Sequence, residues 1–279
     1  MNITVVGGMN LDLLGFPASV LLPRDSNPGS VQMRPGGVGR NIAARLTALG
    51  AKVSLITALG NDDQAKLLTA ACKTGGIDLS HALKTDLPSP CYLCIHDEKG
   101  DMAVAISDMQ AVDQLTPQAM ENRIDFINAG SGCVLDANLS AETLQYIAAH
   151  ATVPLFLDPV SCHKASKVLP ILSHLTAIKP NMMEAETLTG KSSPEDAAQA
   201  LREQGTRHVF ISMGAKGVYY TGPHETGLCP AIPLPTIPLT GAGDALMAGV
   251  TLSLLKGKST KDAAASGCQA AYDALLDGL

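Results

Sequence analysis

Tryptophan is absent from this chain, and only 4 phenylalanines and 5 tyrosines are present, so aromatic residues make up 3% of it. Proteins that hold single-stranded nucleic acid stack its bases on aromatic rings. They also need a basic surface for the phosphate backbone, and this chain carries a formal net charge of −6. Nucleic acid is therefore not an expected partner. No apolar run approaches the ~20 residues of a membrane span, so no membrane partner is expected either. Met1-Asn2 leads straight into the apolar stretch Ile3–Gly7 without the opening of a secretory leader, and a cytoplasmic location is expected. Two nucleotide motifs are missing as well. No Gly-Lys-Ser/Thr follows a glycine loop, and Gly7-Gly8-Met9-Asn10 does not continue as Gly-x-Gly-x-x-Gly. A P-loop ATPase and a Rossmann dehydrogenase are thereby disfavoured.

The 7 cysteines are scattered, and only Cys91 and Cys94 form a Cys-x-x-Cys. They fall in an expected strand, where a three-residue offset puts them on opposite faces. Without a second half-site they do not read as a zinc or redox centre, and buried reduced thiols are expected.

What is present is an ordinary globular composition, 46% apolar and 16% charged over 279 residues. Short β-rich runs alternate with helical stretches, the pattern of an α/β fold with a mostly parallel sheet between two layers of helices. Strands are expected at Ile3–Gly7, Lys52–Ala58, Gly132–Asp136, Val153–Asp158, Thr176–Lys179 and His208–Met213. Helices are expected at Val38–Leu49, Asp62–Thr74, Pro117–Arg123, Ala141–His150, Met182–Thr189, Pro194–Gln204, Gly243–Lys256 and Thr260–Leu276, with Ser259 capping the last. Two segments break the rhythm, near residues 11–33 and 89–106, and read as a small β-sheet standing off the body as a lid. Nothing divides the chain further, so one domain over residues 1–279 is expected.

The chemistry concentrates near the C-terminus. Thr240-Gly241-Ala242-Gly243-Asp244 opens an apolar helix. Glycines let consecutive amides converge, and a helix start adds roughly half a positive charge, which together make an anion hole. A carboxylate at that point would repel a phosphate, unless it faces a hydroxyl and takes its proton. By itself the pattern is equally a glycine turn with an aspartate at a helix N-terminus.

This motif resembles the second signature of the PfkB (ribokinase-like) sugar and nucleoside kinases. Pro35-Gly36-Gly37-Val38-Gly39-Arg40-Asn41-Ile42-Ala43 resembles their first. Two motifs in the right order, with strand–helix alternation between, extend the resemblance over essentially the whole chain. It implies a ribokinase-like three-layer α/β/α fold with a small β lid and an ATP-dependent phosphotransferase. By the same resemblance Asp244 is the catalytic base, with the anion hole formed by Gly241, Ala242 and Gly243. Asp12 matches the aspartate that binds sugar hydroxyls, with Asn10, Gly36, Gly37 and Asn41 beside it. Ser212, Gly214, Lys216 and Gly217 match the nucleotide loop, joined by Asn181, Thr240, Gly241 and Gly243. Asn181 and Glu184 match an Asn-x-x-Glu motif directed at water-bound Mg²⁺, whose plain alternative is an N-cap with an acid in the first turn. Asp158, ending a buried strand, is a further candidate for Mg²⁺ waters. The family often builds a monovalent-cation (K⁺) site nearby. Here Pro238 stands where many members carry Asp or Asn, which puts that site in doubt.

Within the family, Ser26-Asn27-Pro28-Gly29-Ser30, Ser107-Asp108-Met109 and Asp158-Pro159-Val160-Ser161 resemble the pseudouridine-kinase subgroup. The resemblance implies transfer to a nucleoside 5′-hydroxyl, with Asn27 and Asp108 at a uracil edge unless they serve turns. Ribokinase, adenosine-type and fructose-phosphate kinases, and a non-catalytic metabolite sensor on the same fold, stay open. The apolar lid strands lead us to expect a homodimer paired through the lid.

Overall fold

The computed structural model describes residues 1–233 and 241–276. Among them nine strands form one sheet, in the order 226–229, 218–221, 208–212, 177–178, 155–158, 132–136, 2–6, 52–56 and 77–78. The seven from 208–212 through 77–78 run parallel, and a hairpin at 218–229 closes one edge antiparallel. Alternation along each strand sorts side chains between two cores. Val6, Leu135, Leu157, Ile178 and Ile211 pack into one, against helices Ala141–His150, Met182–Thr189 and Pro194–Glu203. Val5, Val134, Phe156, Ala177 and Phe210 pack into the other, against helices Val38–Ala48, Asp63–Thr74, Ala242–Leu255 and Thr260–Leu276. Both faces of the sheet are thus covered, which is why its strands read as continuous apolar runs. No helix among the described residues is long and apolar enough to cross a membrane.

Helix starts follow local chemistry. Asp62, Ser140 and Ser193 each accept a hydrogen bond from a backbone amide three residues on, and Ser259 does so from Asp262. Ala242–Leu255 is apolar all round, and nine of its residues, 245 through 253, are buried, as befits a helix packed between neighbours.

The two segments that break the alternation form a second sheet of four strands, ordered 29–36, 10–17, 91–96 and 102–108. Two expectations shift in detail. The run 52–58 splits into strand 52–56 and a bridge at 58–59 that pairs with 83–84. The 218–229 hairpin extends the main sheet beyond the strands expected. Residues 166–174, outside the expected elements, wind as a 3₁₀ helix with Pro170 inside it.

The chain leaves strand 2–6 for strands on one side of it, 52–56 and 77–78, and later fills the other side with 132–136 and its successors. The order therefore reverses between 2–6 and 132–136. In open α/β sheets ligands gather at the carboxyl ends of strands flanking such a reversal.

Candidate active site

Acidic side chains cluster at that reversal. Asp136 ends strand 132–136 with no exposure and accepts hydrogen bonds from the Gly8 and Asn138 amides at 2.8 and 2.9 Å. Its register neighbour Asp158 is also buried, accepts from the Val160 amide at 2.9 Å, and pairs with the Lys179 ammonium at 2.8 Å. Lys179 is itself buried at the end of the next strand. Burial alone would pull its pKa down, but Asp158, with Asp244 and Glu184, holds the ammonium above the usual lysine range.

Asp244 enters from the other end of the sequence. Gly241 precedes its helix with φ 88°, a left-handed conformation that glycine adopts without strain, and no side-chain cap occupies the helix start. The amides of the first turn are thereby left for a ligand. A Cβ added at Gly243 would lie 3.1 Å from Lys179 Nζ, so the ammonium stands directly against this turn. Asn41 donates from Nδ2 to Asp244 Oδ2 at 2.9 Å, joining residues 203 apart in sequence. Burial first, then the charge of Asp158, pushes the Asp244 carboxyl up to about 7. Lys179 and the Asn41 hydrogen bond oppose the rise, and Asp136 adds to it.

The loop before helix 38–48 sets Asn41 in place. Gly37 has φ 95°, and a Cβ there would lie 2.6 Å from the Gly8 carbonyl oxygen and 2.7 Å from Met9 Cα. Only glycine lets the chain pass so close to the end of the first strand. Next to it, Gly36 leaves room for Asp12, whose carboxylate a Cβ would overlap. Asn10 donates to Asp12 Oδ1 at 2.7 Å, and Arg34 approaches Oδ2 at 3.4 Å. Burial raises the Asp12 pKa, and Asn10, Arg34 and Arg40 counteract it. The sugar-side residues Asn10 and Asp12 thus lie against Gly36 and Gly37 of the first signature, and Asn41 of the same signature reaches Asp244.

The remaining candidates divide. Asn181 and Ser212 lie side by side on neighbouring strand ends. Gly214 and Lys216 form an exposed turn after strand 208–212, and Gly217 is packed against residues 229–231. Thr240 and Pro238 lie outside the described residues. Asp108 ends strand 102–108 in register with Cys91, and its Oδ1 accepts from the Gln110 amide at 3.3 Å.

Two of the asparagines are held by their own neighbours. Asn181 caps the helix that follows it. It accepts from the Glu184 amide at 2.9 Å while Glu184 Oε2 accepts from the Asn181 amide at 2.8 Å, a reciprocal cap of helix 182–189. Asn27 holds its own segment together. Its oxygen accepts from the Leu22 amide at 2.8 Å, and its NH₂ donates to the Leu22 and Asp25 carbonyls, so it closes its own turn.

Sequence reasoning missed Lys179, Asp136 and Asn138. Asn138 is buried and takes a hydrogen bond from Lys164 at 2.6 Å. A detectable signal existed for two of them: Leu-Asp136 and Ile-Lys179, like Leu-Asp158, end apolar strand runs on a charge.

As for metal, no group of three His, Cys, Asp or Glu among the described residues is arranged to hold an ion directly. The donors present, Asp158 and the second oxygen of Glu184, are carboxylate oxygens. That set suits Mg²⁺ held through its waters and a phosphate chain rather than in a protein cage.

Residues 1–275 match the pfkB family carbohydrate kinases. The chain belongs to this family. Among its relatives, pseudouridine kinase of Escherichia coli strain K12 is 38% identical over 256 residues, covering 89% of this chain and 82% of that protein. Ribokinase of Haemophilus influenzae is 29% identical over 97% of this chain and 90% of its own length. Ribokinase from Thermotoga maritima superposes with a TM-score of 0.88 at 23% identity, covering 98% of this chain and 92% of that one. The fold is accordingly ribokinase-like, and a pfkB kinase is a phosphotransferase acting on a small sugar-like molecule with ATP as donor.

Proposed function

We propose that this pfkB kinase transfers the γ-phosphoryl group of ATP to the 5′-hydroxyl of a ribonucleoside, pseudouridine foremost. The observation that carries the reading is the hydrogen bond between Asn41 and Asp244, which unites the two halves of the site around one carboxylate. The similarity to a pseudouridine kinase over 89% of the chain supports the nucleoside.

In this reading Asp12, steadied by Asn10, accepts hydrogen bonds from the ribose diol, and Asn41 helps orient the sugar. Asp244 takes the proton of the 5′-hydroxyl as its oxygen attacks phosphorus in line. The first-turn amides from Gly241 to Gly243 face the charge that develops on the phosphoryl oxygens, and Lys179 balances the carboxylates beside them. Mg²⁺, when bound through waters on Asp158 and Glu184, supplies further neutralisation of the phosphates. Ser212 and the 214–217 turn border the nucleotide, and the four-stranded sheet covers the sugar as a lid. The enzyme works in the cytoplasm.

The lid also supports a dimer. Met33, Leu13, Leu93 and Ile106 stand in one register row, and Val31, Gly15, Ile95 and Val104 in the next. Val31, Met33 and Ile106 are 74%, 65% and 64% exposed, an apolar face of the kind a second copy covers. Light scattering after size exclusion should give a dimer for the wild type and a monomer for Met33→Glu/Ile106→Lys. A wild-type monomer at micromolar concentration would overturn this pairing.

The function is tested by ATP consumption with Mg²⁺ against pseudouridine, uridine, adenosine, ribose and fructose 6-phosphate. Pseudouridine should give the highest kcat/KM. Turnover of another member would retain the kinase and move the substrate. Silence across the panel with ATP still bound would favour a sensor.

A further inference from the structure

The two ends of an asparagine amide are alike in shape and opposite in hydrogen-bond sense, one accepting and the other donating. Which end meets Asp244 therefore matters. Presented with NH₂, the carboxylate is held by a hydrogen bond. Presented with C=O, it meets a second oxygen and is pushed away.

The neighbour that decides is Arg40. Its guanidinium donates from Nη1 to Asn41 Oδ1 at 3.1 Å, and a guanidinium has no acceptor to offer. The Oδ1 end is thereby fixed on Arg40, and the Nδ2 end on Asp244 Oδ2 at 2.9 Å. Only this orientation satisfies both neighbours. Arg40 is itself anchored, because its amide donates to the Gly8 carbonyl at 3.1 Å and Nη1 also reaches the Pro35 carbonyl at 3.4 Å. The other charges around Asp244, namely Asp158, Lys179 and Asp136, come from different strands and do not set the Asn41 amide.

We infer that Arg40 is a positioning residue, whose guanidinium orients the Asn41 amide so that it holds Asp244 by Oδ2 and leaves Oδ1, which has no hydrogen-bond partner among the described residues, for proton abstraction. The inference rests on the kinase reading above. Arg40 also lies in the field of Asp12, so a rival role through the sugar-binding carboxylate has to be separated from it. Action through Asp12 alters nucleoside KM. Action through Asn41 alters kcat, changes nucleoside KM no more than Asn41→Ala itself does, and disappears once Asn41 has no amide.

The test is a double-mutant cycle with Arg40→Met, Asn41→Ala and the pair, alongside Arg40→Lys and Asp244→Asn, with kcat and KM measured for both substrates. Arg40→Met should lower kcat about 10- to 100-fold, the usual range when a group orienting an active-site ligand is lost, with KM nearly unchanged. Arg40→Lys, still a donor, should recover most of the loss. In the Asn41→Ala background Arg40→Met should cost less than about twofold. Thermal melts accompany each variant. Arg40→Gln, neutral and unable to fix the amide's sense, replaces Arg40→Met in the cycle if the latter melts early. An equal cost in both backgrounds, a change in KM alone, or no change in kcat overturns the inference. Turnover that survives Asp244→Asn instead overturns Asp244 as the base, and a wild type silent across the panel overturns the kinase reading itself, so the failures are distinguishable.

Discussion

Replacing Asp244 with asparagine should remove nearly all turnover and at the same time stabilise the fold at alkaline pH. Loss of a positioned general base lowers kcat by about 100- to 10,000-fold, while ATP affinity should change little. The stability gain follows from linkage. An unfolded aspartate titrates near 3.8, whereas burial beside Asp158 moves the folded carboxyl up to about 7. The folded state thus holds this proton more tightly, and stability falls as pH rises between those values, reaching its floor above about 7. Asparagine removes that fall, a gain on the order of 2 kcal/mol above pH 7 once partial solvent screening is allowed for. Melts at several pH values check it. The advantage of the variant should grow from pH 4 to pH 8, and a gain that is flat with pH would mean that packing, not charge, is responsible. The same shift predicts that wild-type kcat/KM climbs through an acidic limb near pH 7, because the base works only when ionised.

Lys179→Met should be the most destabilising single change among the charged site residues. Lys179 is 6% exposed and Asp158 3%, and they meet at 2.8 Å. Truncating one partner of a buried pair leaves the other uncompensated, at a cost of about 3–5 kcal/mol. Asp158→Asn added to Lys179→Met should restore much of that, since no orphan charge remains. Urea unfolding of the two variants decides. Should Lys179→Met lose less than about 1 kcal/mol, the pair does not hold this end of the sheet together. Turnover should fall as well. Without the ammonium the Asp244 carboxyl rises further, and the acidic limb of the rate profile moves to higher pH.

Much of the architecture was legible because the central strands are apolar on both faces and the helices begin at recognisable caps. Val5 and Val6 serve opposite cores, so their run is unbroken and easily read. The 218–229 hairpin was missed because its exposed outer strand, Thr226–Cys229, carries little apolar pattern. In the site, glycines and Asp244 were visible because they lie in compact motifs. Lys179 and Asp136 were not, since each acquires meaning only when strands from distant parts of the chain end side by side. Asn27 and Asn181 are also engaged locally. Both side chains are satisfied by neighbours within five residues, the ordinary fate of asparagine at a turn or helix start.

The contact between residues 41 and 244 also has a bearing on synthesis. Ribosomes deliver the sugar-facing half of the cleft first, and domains begin to fold as they emerge. The carboxylate that performs the chemistry arrives only after most of the sheet has been made. A chain interrupted anywhere before helix 242–255 can hold many of the right strands and still lack both its base and its anion hole. Copies terminated before residue 241 are therefore inert towards ATP chemistry, because everything made up to that point is scaffold and binding surface.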